Sequence, residues 1–287
     1  PPPAKLAARP AASATRGSRS TEPASCAARE SSRSQRATLF DRVKASGPLA
    51  SMRRPGSKSE LHKFEPATEK LTYIEGTAGQ FVAVSKDGKK VWLGFQRTDA
   101  ATAKVDADFR RPANLPQGKN MGGYGFDIDP QGNPWGTSFQ SGEIMGVDVA
   151  KNEALIYPVP GGTNAVPRRG RIDTKGRFWF SYYGKEALGM FDTTSKTFKE
   201  WKVGPRFSTP YTSSTPDAKE RVYLPSNTCD CIFRVDTKSG QVLEIAMPSP
   251  VNSFDAKRVS WDTTSKTPAL MFANTRNAQM MRVEILD

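Results

Sequence analysis

Several arginines and tyrosines between residues 124 and 258 could bind a negatively charged molecule. Arg169 and Arg171 stand in the run PRRGR, and each carries a planar guanidinium that can hold a carboxylate or phosphate through two parallel hydrogen bonds. The same arginines could instead form salt bridges with acidic residues of neighbouring structural units, and the sequence leaves both interpretations open. The candidate ligand-binding residues are Tyr124, Arg169, Arg171, Tyr211 and Arg258, with Arg168 beside them and Asn252, Asn274 and Arg276 as weaker additions.

The sequence offers little for acid–base catalysis at neutral pH. It contains one histidine, His62, and histidine is the side chain whose ordinary pKa lies closest to neutrality. Arginine stays protonated and cannot act as a general base. A tyrosine could do so only if a neighbouring positive charge lowered its pKa. We therefore assign no catalytic residue and expect a protein that binds its ligand without transforming it.

The three cysteines do not form a disulfide framework, because one of them is always left over. Cys229 and Cys231 flank Asp230 in an expected hairpin. Two cysteines one residue apart bridge poorly, and a zinc site would need four ligands. We expect unpaired thiols.

A repeat of about 44 residues runs through the chain beyond residue 60. Trp92, Trp135, Trp179 and Tyr223 follow one another at spacings of 43, 44 and 44 residues. An apolar pair that ends in an acid recurs with them, at Asp148, Asp192, Asp236 and Glu284 with spacings of 44, 44 and 48. Such a period is the signature of a repeat architecture.

Each repeat reads as four antiparallel strands. Turns of the type Asp-x-x-Gly separate apolar runs such as YGFDI and PWGTSF, and glycine supplies the positive φ that such a turn requires. Four strands in about 44 residues match one blade of a β-propeller, so the predicted fold class is all-β. Blades are expected at residues 80–115, 122–160, 165–204, 210–248 and 254–286. Residues 61–75 supply half of another unit, which either closes a five-bladed ring or belongs to a truncated sixth blade.

Side chains that recur with the blade are expected to serve the fold. The tryptophans at 92, 135 and 179 should pack between neighbouring sheets. The carboxylates of Asp148, Asp192 and Asp236 precede turns and should accept hydrogen bonds from turn amides instead of binding a metal.

Residues 1–60 differ from the rest of the chain in composition. They hold 12 Lys+Arg against 4 Asp+Glu, whereas the other 227 residues hold 30 against 25. With Phe40 as its one aromatic residue, this segment cannot bury a core, and we expect a disordered Arg/Ser/Ala/Pro-rich tail that is not necessarily native. A transit peptide, or an upstream region read outside its natural frame, would look the same. We expect the basic tail to be solvated, with no nucleic-acid partner and no membrane-embedded segment.

Residues 61–287 resemble the streptogramin (virginiamycin B) lyase-like propellers, and above all the lyase-like domains of larger bacterial proteins. The runs PRRGRIDTKGRFWF, LGMFDTTSKTFKEW and the closing DTTSKTPALMFANTRNAQMMRVEILD carry the resemblance. It implies seven blades, of which about five and a half are visible, and a periplasmic or secreted location. The sequence shows no signal peptide, so the compartment stays open.

The activity that the resemblance implies is the opening of a cyclic depsipeptide by histidines, an acidic partner and a magnesium ion at the channel mouth. In this chain the blade entries carry Tyr124, Arg169, Tyr211 and Arg258, and His62 lies in the incomplete first unit. We therefore expect a monomeric binding module for a small anionic molecule or another protein. The alternative is a metal-dependent lyase or lactonase that acts on a cyclic ester with a divalent metal such as magnesium.

Overall fold

The fold is built from short antiparallel strands whose sequence alternates between buried and exposed residues. A computed structural model describes residues 61–77, 79, 81–247, 255–276 and 279–286. The expected tail at residues 1–60 and the candidate Asn252 lie outside the described residues. Within the described part, the one helical segment is the 3-10 turn Gly162–Ala165, and no helix is long and apolar enough to cross a membrane.

Three of the five predicted blades are complete four-stranded sheets whose strands pair in sequence order. Each of the three meanders outward from the strand that comes first in the chain. The first comprises β3 (Val82–Val84), β4 (Lys90–Leu93), β5 (Gln96–Asp99) and β6 (Lys104–Asp108); the second comprises β7 (Phe126–Ile128), β8 (Pro134–Ser138), β9 (Glu143–Asp148) and β10 (Glu153–Pro158); the third comprises β11 (Pro167–Ile172), β12 (Arg177–Tyr182), β13 (Ala187–Asp192) and β14 (Phe198–Lys202).

The other two blades contain three assigned strands each. In the fourth blade the innermost run is held to its neighbour by hydrogen bonds from Tyr211 N to Pro225 O (3.2 Å) and from Ser214 N to Tyr223 O (3.0 Å), without forming a regular strand. The fifth blade has three paired strands among the described residues. Their strands are β15 (Arg221–Pro225), β16 (Cys231–Asp236) and β17 (Val242–Ala246), and then β18 (Ala256–Trp261), β19 (Ala269–Asn274) and β20 (Gln279–Glu284).

The half unit before the first blade stands by itself. Strands β1 (Leu61–Glu65) and β2 (Lys70–Ile74) pair only with each other among the described residues. Of the two arrangements left open by the sequence, the structure therefore favours a truncated additional blade, because β2 does not pair with β20. The seven blades implied by the resemblance stay a prediction.

The core consists of four clusters, each shared by two successive blades. Trp92 packs between the first and second blades, Trp135 between the second and third, and Trp179 between the third and fourth. Tyr223 takes the equivalent place between the fourth and fifth. All four rings are at most 2% exposed, which confirms the prediction that these aromatics pack between sheets.

In the second and third blades, an aspartate before the first turn bonds the indole of the core tryptophan to the hairpin. In the third blade Asp173 accepts hydrogen bonds from the amides of Lys175 (2.9 Å) and Arg177 (3.0 Å) and from the indole N–H of Trp179 (2.9 Å). Asp129 does the same for Trp135 in the second blade, at 2.8 Å from the indole nitrogen. Buried donors need such partners, so the Asp-x-x-Gly turn and the tryptophan form one structural unit.

The carboxylates at the second turn of each blade also behave as predicted. Asp148, Asp192 and Asp236 each accept hydrogen bonds from the amides two and three residues further on, at 2.8 to 3.1 Å. These are structural turn contacts.

Candidate functional site

The innermost strands of two blades contain β-bulges at their basic residues. The pairing of β11 with β12 shifts register between Pro167 and Gly170, where Arg168 and Arg169 lie. The pairing of β18 with β19 shifts in the same way between Ala256 and Val259, where Lys257 and Arg258 lie. A bulge redirects the side chains of its extra residue, and such irregularities are frequent beside functional sites. The two blades thus position their basic side chains through the same kind of β-bulge.

The central channel collects one segment from every blade. Its cavity is small, with a volume of about 20 Å³, roughly the space that a single water occupies. Arg169, Arg171 and Arg258 all line it. The other lining residues are Phe81, Val82, Gly125, Phe126, Gly170, Thr212 and Val259. These three arginines therefore face a common space.

Arg168 lies inside an enclosure of four aromatic rings. Its guanidinium carbon is 5.1 Å from the ring centre of Tyr124, 4.8 Å from Phe139, 4.9 Å from Tyr183 and 5.3 Å from Tyr211. The negative face of each ring attracts a cation at these distances, but it does not neutralise the charge. The Nε atom of Arg168 is buried and has no hydrogen-bond partner among the described residues.

Arg169 extends from the same bulge toward the fifth blade. Its Nη1 donates to the carbonyl of Lys257 at 3.0 Å, and its guanidinium lies 5.0 Å from the ring of Tyr124 and 5.4 Å from that of Tyr211. Its Nε is also buried without a partner among the described residues. A buried N–H without a partner costs free energy, which an incoming acceptor would recover.

The channel arginines lack the acidic partners that other arginines of this chain possess. Arg177 pairs with Asp173 at 2.7 Å and with Glu220 at 2.8 Å. By contrast, no described carboxylate forms a salt bridge with any of the four arginines at the channel, which are Arg168, Arg169, Arg171 and Arg258. Of the two interpretations left open by the sequence, the described residues favour free positive charge.

Mutual repulsion is visible in the pKa of Arg258. Partial desolvation and the positive charges of Arg169 and Arg171 lower that pKa from its usual value. Tyr124 opposes this effect on Arg258. Asp127 interacts with Arg171 instead, and burial raises the pKa of that carboxyl against the opposing effects of the Ile172 amide and of Arg171. Asp127 is engaged by the amides of Ile172 (2.9 Å) and Ile128 (3.0 Å), so its first role is to hold the second and third blades together.

Tyr124 and Tyr211 share a hydrogen bond between their hydroxyls. Burial and the hydrogen bond with Tyr124 raise the pKa of Tyr211 to about 12. Burial alone would also raise the pKa of Tyr124, but the hydrogen bond with Tyr211 and the charges of Arg169 and Arg168 outweigh it and lower that pKa. Of the two phenols, Tyr124 is the one whose pKa is lowered.

Other candidates lie outside this arrangement. His62 is on β1, where its ring packs at 4.6 Å from that of Tyr73, and it does not line the cavity. Asn274 accepts a hydrogen bond from the amide of Asp255 at 3.0 Å and, like Arg276, is not among the lining residues. These contacts are structural.

The channel mouth does not fit a magnesium ion. Mg²⁺ takes carboxylate, carbonyl and water oxygens in near-octahedral geometry. Here the groups that converge are guanidiniums, which carry no acceptor and repel a cation. The nearby carboxylate of Asp127 already accepts two amide hydrogen bonds.

The prediction of unpaired thiols at Cys229 and Cys231 is wrong. The structure joins them in a disulfide. Asp230 between them adopts a φ of 41°, and this turn brings the two Cα atoms to 5.1 Å, within the range that a disulfide spans. The sequence argument assumed the extended spacing of a strand, in which side chains one residue apart diverge.

Sequence reasoning missed three residues that take part in the site, namely Phe139, Tyr183 and Lys257. A signal for two of them was present. Phe139 and Tyr183 are 44 residues apart, and each follows a core tryptophan by four positions. Tyr124 and Arg168 are likewise 44 residues apart. Applying the 44-residue period to these positions as well would have placed the four residues at the same end of their blades, around the channel.

The architecture matches solved propellers. A streptogramin B lyase structure superposes with a TM-score of 0.59 at 15% identity, over 79% of this chain and 76% of that one. The fold is that of streptogramin B lyase. The virginiamycin B lyase of Staphylococcus aureus, as a selenomethionine derivative, gives 0.57 at 18% identity over 79% and 78% of the two chains. A catalytically inactive variant of that lyase with quinupristin gives 0.56 at 17% over 80% and 74%.

Streptogramin B lyase is not the sole kind of protein with this architecture. An auxiliary nutrient binding protein from Bacteroides thetaiotaomicron gives a TM-score of 0.54 at 9% identity, over 79% of this chain and 64% of that one. No protein-family profile and no curated protein matches the sequence. At these identities the likeness establishes the fold alone.

Proposed function

We propose that this propeller is a binding module that holds a small anionic molecule at the mouth of its central channel. The observation that carries the proposal is the convergence of Arg169, Arg171 and Arg258 on one cavity with no described carboxylate paired to any of them. Guanidiniums bind carboxylate and phosphate groups through charge-assisted hydrogen bonds, the strongest class in proteins. A carboxylate presented by another protein would satisfy the same groups.

The size of the cavity limits how the ligand binds. A volume of about 20 Å³ admits little more than a water, so the ligand lies at the mouth and directs an anionic group inward. The donors nearest to that group are the guanidiniums of Arg169, Arg171 and Arg258, which line the cavity. A carboxylate or phosphate oxygen can accept from several of these donors at once.

The alternative of a metal-dependent lyase or lactonase receives less support. Its chemistry would need oxygen ligands for a divalent ion, and the converging groups here are cations. A binding role is also compatible with the presence of this fold in the nutrient binding protein.

Calorimetric titration tests the proposal with two probes, inorganic phosphate and succinate. The double substitution Arg169→Ala, Arg258→Ala is expected to weaken binding by about 1.5 to 3 kcal/mol for each charged hydrogen bond lost. The matched control is Arg206→Ala, which removes an exposed arginine that stacks on Phe207 at 4.8 Å, away from the cavity. Binding by the double variant that equals binding by the control would overturn the proposal.

A further inference from the structure

The turn between β15 and β16 holds the two cysteines of the fourth blade in a fixed geometry. The hydroxyl of Ser226 accepts hydrogen bonds from the amides of Thr228 (3.1 Å) and Cys229 (3.3 Å), and the amide of Ser226 donates to the carbonyl of Cys231 at 3.0 Å. The carbonyl of Asp230 accepts from the amide of Met247 at 2.8 Å. The backbone that carries both sulfurs is therefore fixed by contacts that do not depend on the disulfide itself.

A carboxylate from the next strand completes the group. In the register of β16 and β17, Cys231 lies opposite Ala246 and Phe233 opposite Glu244, so Glu244 is the diagonal neighbour of Cys231. One ligand atom from each of Cys229, Cys231 and Glu244 lies within 4.8 Å of the others. No described residue forms a salt bridge with Glu244. The carboxylate is thus free to turn toward the sulfurs.

The three residues differ in exposure in a way that suits an ion arriving from solvent. Cys231 is 1% exposed, Cys229 is half-buried and Glu244 is exposed. None of the three lines the channel cavity. The group is therefore separate from the anion-binding mouth, and its ligand can be of the opposite charge.

We propose that, when the disulfide is reduced, Cys229, Cys231 and Glu244 form a binding site for a thiophilic divalent cation such as Zn²⁺ or Cd²⁺. Two thiolates and a carboxylate are soft and borderline donors that select these ions over Mg²⁺ or Ca²⁺. Water takes the fourth position of a tetrahedral zinc ion. The disulfide form cannot bind the ion in this way, because both sulfur lone-pair donors are then neutral and bonded to each other.

Reduction of the disulfide by a dithiol gives a balanced reaction. The reductant supplies two electrons and two protons, the S–S bond breaks, and two thiols form while the reductant becomes a disulfide. The cation then displaces one proton from each thiol, so two protons are released for each ion bound. The reverse step needs a disulfide or another two-electron oxidant.

Cadmium binding followed by ultraviolet absorbance tests this site. Cys26, outside the described residues, is replaced by Ser in every sample so that the pair alone contributes thiols. After reduction with a phosphine and desalting, titration with Cd²⁺ is expected to give a thiolate-to-metal charge-transfer band that saturates at one equivalent. The oxidised protein is expected to give no such band.

The role of the carboxylate is tested by Glu244→Gln. This exposed substitution is expected to weaken cadmium binding by roughly tenfold or more, since even groups that merely orient a metal ligand account for about 10- to 100-fold in affinity. The matched control, Glu153→Gln, changes an exposed glutamate at the start of β10 and should leave affinity unchanged. Absence of the band in the reduced protein, or equal affinity in the two variants, would overturn the proposal, and neither result bears on anion binding at the channel.

Discussion

The hydroxyls of Tyr124 and Tyr211 meet in one hydrogen bond between the second and fourth blades, and Arg168 and Arg169 lie against both rings. Two identical side chains thereby become chemically different. The pKa of Tyr124 is lowered, whereas that of Tyr211 is raised to about 12.

The first prediction concerns the order in which these phenols ionise. As pH rises, Tyr124 should lose its proton before an ordinary tyrosine does, and Tyr211 only near pH 12. The tyrosinate absorbance near 295 nm should lose its earliest step in Tyr124→Phe and its latest step in Tyr211→Phe. Because the folded pKa of Tyr211 is raised, its contribution to stability is complete below about pH 10 and is lost as pH rises toward 12. An unchanged early step in Tyr124→Phe would contradict the assignment.

The second prediction is that the chain does not linearise a streptogramin B. Elimination at an ester needs a positioned base and acid, which contribute roughly 10² to 10⁴ fold, and His62 packs on Tyr73 away from the channel. Quinupristin incubated with the protein, with and without magnesium, should show no ring opening by mass spectrometry. Turnover that survives His62→Ala and disappears in Tyr124→Phe would instead establish a tyrosine base.

The third prediction concerns Asp173, the aspartate that bonds the indole of Trp179. Asp173→Ala should lower the free energy of unfolding by about 2 to 4 kcal/mol, because it leaves the buried indole N–H of Trp179 without a partner, frees two turn amides and removes the salt bridge with Arg177. Asp192→Ala, which removes a carboxylate from an exposed turn, should cost about 1 kcal/mol. Urea denaturation of both variants measures the difference. Equal losses would show that the indole contact adds nothing.

The fourth prediction concerns the close packing behind the arginines. A Cβ atom on Gly170 would lie 2.0 Å from the carbonyl oxygen of Trp179 and 2.7 Å from Phe180 Cβ. Gly170→Ala must therefore push β11 away from β12, and we expect a loss of about 1 to 3 kcal/mol or more together with weaker phosphate binding. Gly122→Ala meets nothing within 4 Å and is the control, expected to be near neutral. Thermal melts compare the two, and a neutral Gly170→Ala would contradict the bulge geometry.

The fold was predictable from sequence because its determinants are local and repeated. The spacing of Trp92, Trp135 and Trp179 identifies the blades, and each aspartate turn fixes a hairpin within a few residues of itself. The inward direction of Arg169 and Arg258 was predictable for the same reason, since blade entries lie at the channel.

What could not be predicted depends on contacts between residues far apart in sequence or on backbone irregularity. The enclosure of Arg168 gathers rings from three blades, and the split between Tyr124 and Tyr211 arises from a hydrogen bond across 87 residues. The Cys229–Cys231 bridge depends on the positive φ of Asp230, a conformation that aspartate adopts only occasionally.

The repulsion among the channel arginines implies a trade-off between stability and binding. Burial, together with the charges of Arg169 and Arg171, lowers the pKa of Arg258 in the folded state, while an unfolded chain would solvate the three arginines and let them separate. Replacing one of them by a neutral residue of similar length, as in Arg258→Gln, should therefore raise the melting temperature in chloride buffer. The same protein should gain less than the parent from added phosphate, because a ligand that binds only the folded state stabilises it by RT ln(1 + [L]/Kd), which is smaller when binding is weaker. Selection for ligand binding would then keep more positive charge at the channel than the charge that gives the fold its greatest stability.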